Sequence, residues 1–369
     1  MEKIFLSLSA TTLLLFSVIS CKTHKENNPS DKFDRTQMLE NFAQNLIKPA
    51  FQDLQSKVNA LKAATDNFVQ TPSATNLSIL QNTWENAYLS WQYANAYNFG
   101  PAGEEGIRKS LLEEIGTFPI SPTKIENAIA NNNANFNDFN RDARGFLAIE
   151  YLIFNFNNDN QAVLNSFNNA NRRSFLVNAV NNLKTRVDEV ANAWNGSYAL
   201  EFVSNTGTDI GSSTSQLYNE FVKSFESIKN FKVGLPLGKR PGQTQPEPAR
   251  VEAYYSGKSL AMIEAHLQAI ENIWYGKAKE GQDGIGFKEY LQNVEGGQAL
   301  ISSTEAQWAM VKNSFRAIPT QIRLSVQIQH SPQVIDNFHT ELQKHTRFFK
   351  ADMSSLLGIT ITFSSGDGD

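Results

Sequence analysis

The chain has 369 residues, with 33 basic against 37 acidic side chains and a formal net charge of −4. Such a balance supplies neither a basic field for nucleic acid nor an acidic tail, so no nucleic-acid partner is expected. The single cysteine excludes a disulfide framework and a zinc–thiolate cluster, and the length suits roughly two domains.

The chain opens with Met1-Glu2-Lys3 and an apolar run from Ile4 to Ile19. A stretch of that length behind one Lys reads as an export signal, not as a spanning helix. Cys21 follows Ser20 at the end of the run, a pattern that resembles a bacterial lipobox. The expectation is a lipoprotein signal peptide over 1–20, lipidation at Cys21, and a flexible tether over 21–34. The body would then be tethered in the cell envelope, most simply at the outer membrane, with the membrane as its first partner. Nothing after Cys21 resembles a second span.

From there the pattern is helical. Leu39, Phe42, Leu46, Leu54, Val58, Leu61 and Phe68 recur at helical spacing, with Pro49 expected to kink or split the segment. Thr71-Pro72-Ser73 punctuates, and Leu77, Leu80, Trp84, Ala87, Tyr88 and Trp91 mark a second stripe that Gly100-Pro101 ends. The stretch 102–140 is irregular, with two short helical pieces and the exposed Asn-rich run 131–135. Helices are expected over 141–154 and 172–194, before a polar stretch at 204–213. Four more follow over 214–231, 251–275, 299–318 and 332–356, with a Pro/Gly-rich insert at 234–248. The expected fold is all-α: two four-helix-bundle-like halves, 35–207 and 208–369, with a short extended C-terminal segment at 358–363.

Common catalytic motifs are missing. There is no H-E-x-x-H, no G-x-S-x-G, and no phosphate loop; Gly281 to Gly286 lacks both a preceding strand and a following Lys-Ser/Thr. His339 and His345 fall on roughly opposite faces of one helix, and His266, flanked by polar positions, is expected to be exposed. The unusual residue is Glu150, a carboxylate between Ile149 and the run Tyr151 to Phe154. A carboxylate there is either turned to solvent or buried with a partner; the apolar residues cover most of that helix, so a buried or interfacial Glu150 is expected.

Several segments together resemble the imelysin family of exported bacterial lipoproteins. They are Trp84, Glu85, Ala87 and Trp91 with Phe99-Gly100-Pro101; Gly145 to Phe154; Arg250-Val251-Glu252-Ala253-Tyr254-Tyr255-Ser256-Gly257 with Ser259-Leu260; and Leu357 to Phe363. The resemblance implies two helical halves with a site between them. It also implies the motif G-x-H-x-x-E, of which Gly145 and Glu150 are the ends. Leu147 stands at the histidine position, so this helix offers one metal ligand, Glu150, where the motif offers two.

Three functions follow as expectations. The first is a lipid-anchored binding protein for a metal ion (iron or another divalent) or a small ligand, in iron acquisition as the family association implies. Its site residues would be Glu150, Gly145, Trp91, Arg250, Tyr255 and Ser259, with Arg250 as the partner that holds Glu150 across the two halves. The second is the metallopeptidase that the family label implies, for which Leu147 removes a ligand. The third is a surface module in which the aromatic stretch from Trp194 to Phe202 meets an envelope protein.

Overall fold

The computed structural model describes residues 33–105, 109–136, 140–154, 159–279, 281 and 283–363. The expected signal peptide, Cys21 and the tether up to residue 32 lie outside the described residues. The first elements are α1 (Arg35–Asn41), α2 (Lys48–Gln70), α3 (Ala74–Ala94), α4 (Leu111–Ile115), α5 (Pro122–Ala130), α6 (Gly145–Ile153), α7 (Asn160–Ser166), α8 (Ala170–Asn195) and α9 (Tyr198–Ser204). There follow α10 (Ser213–Ser227), α11 (Ser259–Tyr275), α12 (Phe287–Gln292), α13 (Gly297–Arg316), α14 (Leu324–His330), α15 (Gln333–Arg347) and α16 (Met353–Leu357). No strand element occurs among the described residues, so the all-α fold stands.

The apolar stripes become the core. On α2, Phe51, Leu54, Val58, Leu61 and Phe68 are each no more than 1% exposed, and that face packs along α3 and α8. Farther along the chain, α13 packs on α15. The join between these groups is α3 lying against α11. The chain's start is tied to its later helices: Asn41 Nδ2 donates to the carbonyls of Gly276 (2.7 Å) and Ile285 (3.0 Å). Among the described residues no helix is long and apolar enough to cross a membrane.

Pro49 breaks nothing. A π-helical turn over Phe42–Ile47 precedes it, and the proline falls in the first turn of α2, where a missing N–H is tolerated. The expected helix over 251–275 is shorter than its pattern: α11 begins only at Ser259. Ala253 and Gly257 take positive φ (54° and 73°), which no helix accommodates, so 251–258 is a chain of turns. A Cβ on Gly257 would also sit 2.9 Å from the Arg323 guanidinium carbon. The helix expected over 141–154 likewise starts late, at Gly145, whose φ is 77°. Two other expected helices pass through π turns, over Ile228–Gly234 and Phe348–Asp352. The segment from Gly358 is extended and held by Asn219, which donates to Thr360 O (3.0 Å) and accepts from Thr362 N (2.7 Å).

Candidate ligand-binding site

The turns at 251–258 give Glu150 its partner, and it is not Arg250. Glu150 is 1% exposed, and its Oε1 accepts the Ser256 backbone N–H at 2.7 Å. Arg250 instead reaches Glu247 at 2.8 Å, with 42% of its side chain exposed. The physical reason lies in the turn: positive φ at Ala253 and Gly257 turns backbone amides toward α6, and an amide donor makes a second buried charge unnecessary. Burial pushes the Glu150 carboxyl up to about 7, and the Glu252 charge adds to that against the bonds from Ser256 and Tyr255.

Gly145 is needed for packing. A Cβ there would stand 2.5 Å from the Ile115 carbonyl oxygen. Trp84 Nε1 donates to Phe146 O at 2.8 Å and so fixes α6 against α3. Ser259 Oγ donates to the Glu252 carbonyl and closes the turn into α11. Tyr255 stacks edge-on against Tyr151 at 5.1 Å, half-buried at the rim.

Beneath this turn lies a row of buried polar groups that the sequence did not single out. Tyr88 Oη donates to Glu252 Oε1 at 2.6 Å, and Lys232 Nζ lies 2.9 Å from Glu252 Oε2. Lys232 also donates to Gln92 Oε1, which takes a further bond from Asn95 Nδ2 at 3.4 Å. Ser224 Oγ donates to Asn95 Oδ1 at 2.9 Å and lies 2.7 Å from His266 Nε2. With the Ser224 proton directed to Asn95, Ser224 Oγ is left to accept from His266 in its Nε2–H form. Burial holds the His266 pKa well below its usual value, with the Lys232 charge adding. Burial also lowers the Lys232 ammonium, against the pull of Glu252, and raises the Tyr88 phenol.

His266 is thus 1% exposed, not at the surface as its polar flanks suggested. A periodic signal was present: it lies three residues after Ile263 and four before Ile270, both buried. Glu252 sat within a segment already singled out, but its neighbours gave no hint that Lys232, some twenty positions earlier, would meet it.

This row forms one wall of a cavity of about 310 Å³. Trp91, Asn95, Ser224, Lys232, Glu252 and His266 line it, with Leu112, Phe118 and Phe231 supplying apolar surface. Of the sequence-derived site residues, Trp91 lines the cavity, Ser259 and Glu150 brace the turn that carries Glu252, and Arg250 does neither. A cavity with convergent, pre-ordered polar groups and apolar walls is suited to holding a small ligand.

A resident metal does not fit these donors. Leu147 offers no ligand, Glu150 is taken by a backbone amide, and Glu252 is shared between Lys232 and Tyr88. Among the described residues no group of three or more His, Cys, Asp or Glu side chains is placed to hold a metal ion.

Comparison with known proteins agrees on the fold. The chain is 22% identical over 300 residues to "Iron-regulated protein A" of Synechococcus elongatus, covering 79% of this chain and 78% of that protein. Its structure is similar to that of a candidate iron-regulated protein A precursor from Parabacteroides distasonis, with TM-score 0.71, 17% identity, and 87% and 95% of the two chains covered. An imelysin-like protein from Psychrobacter arcticum gives TM-score 0.69 at 18% identity over 89% and 97% of the two chains. At those identities the structural likeness is one of fold. The imelysin family model matches residues 47–347, most of the chain, and the protein therefore belongs to the imelysin family.

Proposed function

We propose that this imelysin-family protein is a lipid-anchored binding protein of the cell envelope, and that a small polar ligand enters the cavity beside Glu252 and His266. The observation that carries the reading is the buried row itself. Seven polar side chains are held in fixed geometry next to an apolar-walled cavity, and such ordering is costly unless something uses it. The site would lie where the halves 35–207 and 208–369 meet, with α3 and α11 as its frame. The link to iron acquisition rests on similarity to a protein named for iron regulation. The membrane attachment rests on Cys21 behind its apolar run.

Native mass spectrometry with metal analysis, on protein purified from its own envelope fraction, tests the binding reading. The expected result is a small-molecule adduct that a Trp91→Ala variant loses. Stoichiometric metal together with chelator-sensitive peptide cleavage would overturn it in favour of a metallopeptidase. Replacing Cys21 with Ser should release the protein from the membrane fraction; a variant that still pellets with membranes would remove the anchor.

A further inference from the structure

A second cleft, of about 430 Å³, opens on the other side of the α3–α11 contact from the row just described, between α2, α3 and the end of α11. The π turn over Phe42–Ile47 shapes one wall, because the widened turn sets Leu46 and Pro49 along it. Such π turns occur often at functional sites. The opposite rim is made by the end of α11. Gly276 takes the left-handed conformation (φ 62°), and a Cβ there would stand 2.3 Å from the Ile285 carbonyl carbon. Lys277 N then bonds back to Asn272 O at 2.8 Å, so the chain reverses and carries Lys277 and Lys279 over the cleft.

The polar groups here differ in kind from those of the first cavity. Lys279 and Asp53 satisfy each other at 2.8 Å, and Ser90 also donates to Asp53. Three donors are left over. Tyr97 is 3% exposed and lines the cleft, yet its hydroxyl has no hydrogen-bond partner among the described residues. Asn272 is 8% exposed; its Oδ1 accepts from Gln268, but its Nδ2 has no acceptor among them. Lys277 stands at the rim without an acidic partner among them. A phenol, an amide N–H and an ammonium facing one space, with apolar walls from Leu46, Pro49 and Ala269, lack only an acceptor.

We propose that this cleft binds a small organic carboxylate, its oxygens held by Tyr97, Asn272 and Lys277 and its apolar body laid along Leu46, Pro49 and Ala269. The volume falls within the range of small-molecule sites. The net charge of the lining favours an anion, because Lys279 is cancelled by Asp53 and Lys277 is not cancelled.

Ligand-observed NMR titration on the full-length protein tests this, with benzoate, 3-phenylpropanoate and octanoate as probes and benzamide as the neutral counterpart of benzoate. At least one carboxylate should bind saturably, and benzamide should bind at least about tenfold more weakly than benzoate. Tyr97→Phe keeps the buried ring and should weaken the carboxylate about tenfold; Lys277→Gln, at the rim, should weaken it by a smaller factor. Absence of saturable binding by all three probes up to about 10 mM would overturn the proposal. So would equal binding of benzamide, or affinities unchanged in both variants. Carboxylate binding that survives both variants but is lost in Lys232→Gln would assign the anion to the other cavity and overturn it equally. Apart from that last outcome, which would support the first cavity as an anion site, none of these results bears on whether the first cavity holds its own ligand.

Discussion

His266 and His345 are both buried to within 1% of full enclosure, and burial lowers the pKa of each, to about 3 for His345. Their surroundings nonetheless differ in kind. His266 is bonded to Ser224 and through it to Asn95, Gln92, Lys232 and Glu252. His345 lies in a nest of rings, edge-on to Phe349 at 4.4 Å and near Phe225 and Trp308, and neither of its ring nitrogens has a hydrogen-bond partner. A lowered pKa therefore marks burial in both places, and only the attached polar row sets one of them apart as a candidate site. The aromatic nest has the character of a core that happens to contain an imidazole.

The largest expected effect lies on the paired side of this comparison. Lys232→Met or Glu252→Leu alone strands the other charge 4% exposed, and each should cost about 3–5 kcal/mol in chemical denaturation. The double variant should lose much less than the sum, because the stranded charge is gone. Additive losses would mean that the two side chains do not act as a pair, and the row would lose its centre.

A smaller effect separates the two histidines by sign. His266→Leu removes a partner from Ser224 and should cost about 1–2 kcal/mol. His345→Leu removes two nitrogens that are desolvated without a bond, so it should leave stability unchanged or raise it by up to about 1 kcal/mol. Equal destabilisation by both substitutions would break the contrast.

The subtlest effect is in pH. His345 is neutral when folded down to about pH 3 but takes its proton near 6.5 when unfolded, so its contribution to stability falls as pH drops from 6.5 toward 3. Glu150 works in the opposite sense. Its folded pKa of about 7 exceeds the ordinary 4.5, so the folded state holds the extra proton between those values and stability falls as pH rises through them. The stability of wild type relative to Glu150→Gln should therefore decline between about pH 5 and about pH 7.5, at up to about 1.4 kcal/mol per pH unit. A constant difference across that window would show that the carboxylate is ionised throughout.

The all-α fold was legible in the sequence, because helical periodicity and caps are local, and the family through the resemblance of segments such as Gly145 to Phe154. The stripe from Leu54 to Phe68 needed no partner to be recognised. Burial of Glu150 was legible too, since the residues that enclose it are its own neighbours on α6. The identity of its partner was not. Charge complementarity suggested Arg250, but the donor is a backbone amide at Ser256, presented only because 251–258 forms turns where periodicity continued a helix.

What only the tertiary structure decided is which polar residues meet. Gln92 on α3 and Asn95 in the turn just after it, Ser224 on α10, Lys232 on the π turn that follows it, Glu252 in the turns and His266 on α11 come from five places along the chain. Read singly, each is an unremarkable polar residue. The hydrophobic pattern sets which face of a helix is buried, because that choice is made residue by residue against water. It leaves the pairing of polar groups between helices open, because a hydrogen bond has meaning only once both partners are placed within about 3 Å of each other.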